Sequence, residues 1–253
     1  MPHPTGVAVP FVVVIPAKDE AARIAATIRG VRRIPGVGEI VVVDDGSSDA
    51  TARIAAGAGA EVVRLTRNHG KADALMSGLG RMDGLQRVGR VDPGAAVLFV
   101  DADLADSATE VAALVGPVRS GEADLTIATL PPQRSPGGGR GLVVGLARRG
   151  IEELTGWSPV QPLSGMRCLS PAARAAATPF ARGWGVEVGM TIDVLQAGLV
   201  VQEVPCDLHH RVTRADWRGQ LHRAAQYRDV ALALAVRRLG RRRRHSDRHS
   251  HRS

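Results

Sequence analysis

Two cysteines, Cys168 and Cys206, are all the thiol chemistry that the 253-residue chain has. They are too few for a disulfide framework and lack metal-ligand spacing, so reduced thiols in a cytoplasmic protein are the expectation. Long apolar runs are lacking as well. The longest, Val7 to Ile15, is broken by Pro10 and falls short of the roughly 18 residues of a membrane-crossing helix. No basic stretch precedes an apolar one at the start, so no secretory leader is expected. Lysine is nearly missing: of 33 basic residues only Lys18 and Lys71 are not arginine. Evenly spread positive charge is missing too. The net charge is +8, but Arg237 to Ser253 carries eight arginines against one aspartate, which leaves residues 1–236 at about +1. The basic character belongs to a tail rather than a groove, so nucleic acid is not an expected partner.

Three glycine motifs are also lacking. Pro16-Ala17-Lys18-Asp19-Glu20 follows the first strand without any glycine, which excludes a Rossmann dinucleotide site. Gly137-Gly138-Gly139-Arg140-Gly141 has no lysine and fails as a P-loop. The glycine-rich basic loop that a sugar nucleotidyltransferase carries after its first strand is not there either.

What is present is a regular alternation. With 44% hydrophobic and 23% charged residues, the chain has the makings of one large domain, or one and a half. Phe11 to Ile15 reads as a strand buried on both faces, followed by a helix over about 19–33. Strands at 40–43, 61–65, 97–100 and 125–128 alternate with helices at about 49–56, 72–82 and 108–119, with Asp49 as N-cap of the first. This spacing predicts a doubly wound, mainly parallel α/β sheet flanked by helices. Residues 131–141 read as a long mobile loop. Helices at about 142–155, 171–178 and 186–197, a strand at 200–204 and a helix at 215–238 complete the pattern. The arginine run past Gly240 reads as disordered.

The chain is organised around Val97-Leu98-Phe99-Val100-Asp101-Ala102-Asp103, a buried strand that ends on two carboxylates. Two like charges this close need compensation, and a hard divalent cation that also grips phosphate oxygens supplies it. Glu20 and Asp44 close two other strands, where a carboxylate can accept the N–H of a uracil or guanine ring. Gly70-Lys71 opens a helix whose free N–H groups and lysine suit a phosphate or ribose. Each motif alone also fits a plain role: a cap at Asp19-Glu20, a turn at Asp44-Asp45-Gly46, a solvated turn at Asp101-Asp103.

Together, Ile15-Pro16-Ala17-x-x-Glu20, Val43-Asp44-Asp45-Gly46-Ser47-Ser48-Asp49, Asn68-x-Gly70-Lys71 and Asp101-x-Asp103 resemble a family-2-type glycosyltransferase of the GT-A fold. Asp19 stands where that family usually has asparagine. Gln161-Pro162-Leu163-Ser164-Gly165, Gly183-Trp184-Gly185-Val186-Glu187 and His210-Arg211 narrow the resemblance to the glucosyl-3-phosphoglycerate synthases. The resemblance implies an irregular lead-in at 1–10, a nucleotide-sugar-binding half at 11–130, an acceptor-binding half with a C-terminal helical region at 131–239, and the basic tail at 240–253. It places Ala17, Glu20, Asp44 and Ser47 around the base, and Gly70, Lys71 and Asp101 on ribose and phosphates. Asp103 and His210 would hold Mg2+ or Mn2+, Asp103 thereby serving the chemistry. Glu187 would meet the acceptor hydroxyl as a general base or an orienting contact, and otherwise is a helix-start carboxylate; Arg140 and Gly165 would also line the acceptor site. Two positions depart from the family: Leu142 lacks a hydroxyl that follows the matching arginine, and Val212 replaces an asparagine. The implied reaction moves a hexose from a UDP- or GDP-linked donor to a small phosphorylated or acidic acceptor. A polyprenyl phosphate at the inner membrane surface, where the tail could hold anionic lipid, and a non-catalytic binding module are the alternatives. A homodimer stays open.

Overall fold

The computed structural model describes residues 10–130, 140–207 and 217–250. The first apolar run forms β1 (Phe11–Ala17), and its alternate side chains face opposite ways. Phe11, Val13 and Ile15 pack with Ile24, Ile28 and Val31, while Val12 and Val14 pack with Leu75, Leu79 and Met82. Burial on both faces is why the run carries no polar alternation.

Helix α1 (Ile24–Arg32) leads to β2 (Val37–Asp44), α2 (Thr51–Gly57), β3 (Glu61–Arg64), α3 (Lys71–Arg87) and β4 (Val97–Phe99). After β4 a 3-10 helix spans Ala105–Leu114 and α4 follows at Val115–Ser120, then β5 (Leu125–Thr129) and α5 (Arg140–Thr155). The second half adds β6 (Arg167–Leu169), α6 (Pro171–Ala177), a 3-10 turn at Gly183–Gly185, α7 (Val186–Gln196), β7 (Val201–Pro205) and α8 (Trp217–Ser250). The seven strands order as β3-β2-β1-β4-β6-β5-β7. All pairings are parallel except those of β6, which runs antiparallel to β4 and β5. That exception positions the site. An antiparallel strand enters the sheet at the edge where its parallel neighbours leave it, so residues 161–166 arrive beside the carboxyl end of β4.

Several expected bounds move. The helix expected from about residue 19 starts at Ile24, because Asp19 adopts a left-handed backbone (φ 54°) and its carboxylate is drawn to the 44–49 loop. Asp49 does not cap α2 from the N-cap position, which Ala50 occupies; instead its carboxylate accepts from the Thr51 amide at 2.9 Å and from the Thr51 hydroxyl. The single helix expected at 108–119 is split into the 3-10 and α segments. β6 has no counterpart in the sequence reading. The arginine-rich segment read as disordered continues α8 to Ser250. Residues 131–139, most of the expected loop, lie outside the described residues.

A third cluster joins α5, α7 and α8 through Val143, Ala147, Ile151, Val188, Ile192, Val230 and Leu234, braced by the Arg237–Asp193 and Arg238–Glu153 ion pairs. Both cysteines are free and buried; burial pushes the Cys168 thiol up to about 12 and the Cys206 thiol to about 11, consistent with inert reduced thiols. No helix among the described residues is long and apolar enough to cross a membrane.

Candidate active site

Two loops at the carboxyl ends of β1 and β2 are stitched together. The Asp45 amide donates to the Ala17 carbonyl at 2.8 Å, the Asp19 amide to Ser47 Oγ at 2.9 Å, and the Glu20 amide to Thr51 Oγ1 at 2.8 Å. The Asp19 carboxylate returns the bond, accepting from the Ser48 amide at 2.7 Å. Within this frame Asp44 is 1% exposed. Its Oδ1 accepts from the Ser47 amide at 3.0 Å. Its Oδ2 is buried with no hydrogen-bond partner, and the Arg64 Nε stands 3.5 Å away. A buried acceptor without a donor is costly, and a ring N–H of a base would satisfy it. Glu20 pairs with Arg23, its Oε2 accepting from Arg23 Nη1 at 2.7 Å.

Asp45, read from the sequence as a turn residue, has a larger part. Its two oxygens accept from the His69 and Gly70 amides at 2.7 and 2.8 Å, fixing the start of α3. Gly46 beside it needs φ 67°, and a Cβ there would lie 2.5 Å from the Arg67 carbonyl carbon, so the crossing of the two loops demands glycine.

Lys71 is the first residue of α3. Its Nζ donates to Asp101 Oδ1 at 2.9 Å and pairs with Glu187 Oε1 at 3.3 Å. Burial works against the ammonium, yet the charges of Asp101 and Glu187 outweigh it and raise the Lys71 pKa. Lys18, the other lysine, stays outside the cleft and pairs with Asp19 at 2.9 Å. Gly165 closes the group. A Cβ at this position would overlap Lys71 Nζ and come within 3.0 Å of Asp101 Oδ1.

The Asp101-Ala102-Asp103 turn is held from below by Thr27 of α1. This buried hydroxyl donates to the Ala102 carbonyl at 2.8 Å and accepts from the Ala105 amide at 2.9 Å. Nothing in the α1 sequence marks it out. Asp101 and Asp103 offer hard oxygen donors of the kind Mg2+ and Mn2+ take. No group of three or more His, Cys, Asp or Glu gathers among the described residues, and His210 lies outside them. Arg140 is the first residue of α5.

Lys71, Asp101, Gly165 and Glu187 line one cleft of about 170 Å³, whose other walls are Val143, Leu163, Trp184, Gln226 and Val230. Trp184 is fixed by its amide, which donates to Asp229 Oδ2 at 3.2 Å. Glu187 is 5% exposed, in the first turn of α7. Beneath the cleft lies Arg167, buried and passed over by the sequence reading. Its guanidinium donates to the Ser164 and Pro162 carbonyls at 2.8 and 3.0 Å, to the Glu187 carbonyl at 2.9 Å and to Thr191 Oγ1 at 2.8 Å. Burial pulls its pKa down to about 10, against the opposing charges of Glu187 and Glu203. The expected donor-side residues Asp101 and Lys71 thus meet the expected acceptor-side residues Gly165 and Glu187, while Ala17, Asp44 and Ser47 form a separate cradle along the same sheet edge.

Known proteins are similar to this chain in sequence and in fold. Glucosyl-3-phosphoglycerate synthase from Mycobacterium tuberculosis (strain CDC 1551 / Oshkosh) is 33% identical over 207 residues, covering 72% of this chain and 59% of the relative. The chain therefore spans less than two thirds of the length of the curated relatives it matches. The M. tuberculosis synthase in complex with Mn2+, uridine diphosphate and phosphoglyceric acid superposes with a TM-score of 0.69 at 29% identity, over 90% of this chain and 78% of that one. A second complex of that enzyme, with Mn2+, UDP-glucose and phosphoglyceric acid, gives 0.67 at 30% identity, over 90% and 79%. The family model of glycosyl transferase family 2 matches residues 12–158. The fold is the GT-A fold of these glycosyltransferases, and the chain belongs to glycosyl transferase family 2.

Proposed function

We propose that the chain is a metal-dependent glycosyltransferase that moves a hexose, glucose in the first instance, from a UDP-linked donor to a small phosphorylated acceptor. The observation that carries this reading is the convergence on Lys71 of Asp101, from the end of β4, and Glu187, from the start of α7, at 2.9 and 3.3 Å. A donor-phosphate group and an acceptor group share one ammonium at the mouth of one cleft. The related structures, which hold UDP-glucose, Mn2+ and phosphoglyceric acid, support the same substrates here.

Asp44 Oδ2 accepts the imide N–H of uracil, the bond its burial leaves open. Gly70 and Lys71 take the ribose and phosphates at the start of α3, where the helix dipole also favours an anion. Asp101 and Asp103 fit a divalent cation, with His210 and the diphosphate as its further donors. When bound, that cation neutralises the charge gathering on the departing diphosphate. In the transfer, the bond from the anomeric carbon to the diphosphate oxygen breaks, the acceptor oxygen takes its place, and the acceptor hydroxyl gives up its proton. Glu187 orients that hydroxyl and can accept the proton. Arg140 serves the acceptor phosphate through a two-bonded guanidinium. The comparisons give no support to a GDP-linked donor, a polyprenyl phosphate acceptor or a non-catalytic module.

The test is UDP release from UDP-glucose with Mn2+, with and without 3-phosphoglycerate. Acceptor-dependent release that stops on chelation is expected. Absence of turnover, together with absence of UDP binding in a thermal-shift assay, would overturn the reading.

A further inference from the structure

Arg167 is the largest fully buried side chain among the described residues, and it touches neither proposed substrate site directly. It is the first residue of β6, paired with Phe99 of β4 and Ile127 of β5. All four of its hydrogen-bond partners are neutral: the carbonyls of Pro162, Ser164 and Glu187, and the Thr191 hydroxyl. An ion pair does not explain its burial. Taking a charge out of water without a bonded counter-ion costs stability, and an apolar side chain of similar volume serves a core better. What a guanidinium supplies that no apolar group can is a rigid planar fork of five donors.

The fork grips two separate pieces of backbone. Nε and Nη2 hold the turn 162–164 that delivers Gly165 against Lys71 and Asp101. Nη1 holds the Glu187 carbonyl and the next turn of α7, which fixes where the Glu187 side chain starts. Both pieces lie on the acceptor side of the cleft, and no other described side chain bonds to both.

We propose that Arg167 is a positioning residue of the transfer reaction, setting the distance between the Gly165 turn and Glu187 and so the approach of the acceptor. This rests on the glycosyltransferase reading. It makes no demand on donor binding, because the Asp44 cradle and the start of α3 are held by other bonds. Lysine, with one compact ammonium, keeps the charge but cannot span Pro162, Ser164 and Glu187 together.

The test uses the full chain with Arg167→Lys and Thr191→Val. It measures UDP affinity in Mn2+ by calorimetry, UDP release from UDP-glucose with 3-phosphoglycerate as the probe acceptor, and amide hydrogen exchange. Arg167→Lys should keep UDP affinity and the donor KM within about twofold, while transfer kcat falls about tenfold or more, as misplacement of reacting groups does. Exchange should quicken at 163–165 and 186–191 and stay unchanged in β1 to β3. Thr191→Val, which removes one partner of four, should lower kcat by a smaller factor at unchanged UDP affinity. Wild-type kcat in Arg167→Lys would overturn the proposal, and so would UDP affinity falling in step with kcat, which marks general damage. Should Arg167→Lys fail to fold, Thr191→Val decides: reduced kcat at wild-type UDP affinity supports positioning, and wild-type kcat overturns it. Should the wild-type chain bind UDP yet turn over no donor, the function reading fails separately. Exchange confined to the two segments in Arg167→Lys then supports the positioning role, and unchanged exchange there overturns it.

Discussion

Gly165 leaves no space for a side chain, since a Cβ would displace the Lys71 ammonium and crowd Asp101. Gly165→Ala should fold, because the clash is with the far end of a flexible lysine. Transfer should drop tenfold or more, on the scale of ~1 Å shifts at a reacting centre. The check is kcat beside a melting curve; wild-type kcat would show that the Lys71–Asp101 pair is not used. Asp103→Ala should keep the fold, lose the Mn2+-dependent thermal shift with UDP, and lower turnover on the order of a hundredfold or more. Full activity of this variant in chelator would remove the metal from the reaction. At this scale much of the site was legible. Asp44, Lys71 and Asp101 stood out by residue type at strand ends and a helix start, Gly165 and Glu187 by the family resemblance, and the structure brings Lys71, Asp101, Gly165 and Glu187 to one cleft. Thr27, Asp45 and Arg167 did not read, because each acts on backbone far away in sequence: Thr27 on Ala102 and Ala105, Asp45 on His69 and Gly70, Arg167 on Glu187. A side chain that serves distant carbonyls and amides has no local pattern.

Among the elements, the turn between β1 and α1 carries its own pH dependence. Asp19 is lowered to about 2 from an ordinary 3.8 by its bond to Lys18, then by the Ser48 amide and hydroxyl. The unfolded chain therefore binds this proton at higher pH than the folded one, so the contribution is present above the ordinary value and is lost as pH falls toward about 2. Asp19→Asn should lower stability near neutrality by removing that contribution and should flatten the stability curve in that window; denaturant melts at stepped pH would detect an unaltered slope as a contradiction. The helices and parallel strands were legible because apolar periodicity and strand-end polarity agree along most of the chain. The exceptions are instructive. β6, Arg167-Cys168-Leu169, is too short to show a period and opens on a charged residue. The helix expected at about 19–33 starts late because Asp19 spends its carboxylate on another loop rather than on a cap. Asp49 likewise looked like a cap, and its bonds to Thr51 and the Ala21 amide tie two loops instead.

For the whole molecule, the charge imbalance belongs to the C-terminal segment. Leu234 is the last buried residue among the described side chains of α8, and removing residues 240–253 should leave transfer to a small acceptor nearly unchanged. Lower kcat in the truncated chain, at equal folded fraction, would tie the arginine run to the site. The overall plan was legible because length, alternation and the lack of other nucleotide motifs leave few architectures. The crossing of halves in the sheet was not, since it depends on β6. That crossing bears on how the chain is made. On a ribosome, β1 to β4 emerge in an order that lets each find its neighbour soon after synthesis. β5 emerges next and has no strand to join, because its partners in the finished sheet are β6 and β7. Until residues 167–169 follow, the apolar edge Val97–Phe99 stays unpaired and β5 waits beside it. The nascent chain thus passes through a stretch of synthesis with the β4 edge and β5 both open, and that stretch ends only once residues 167–169 have left the ribosome and can pair with both strands.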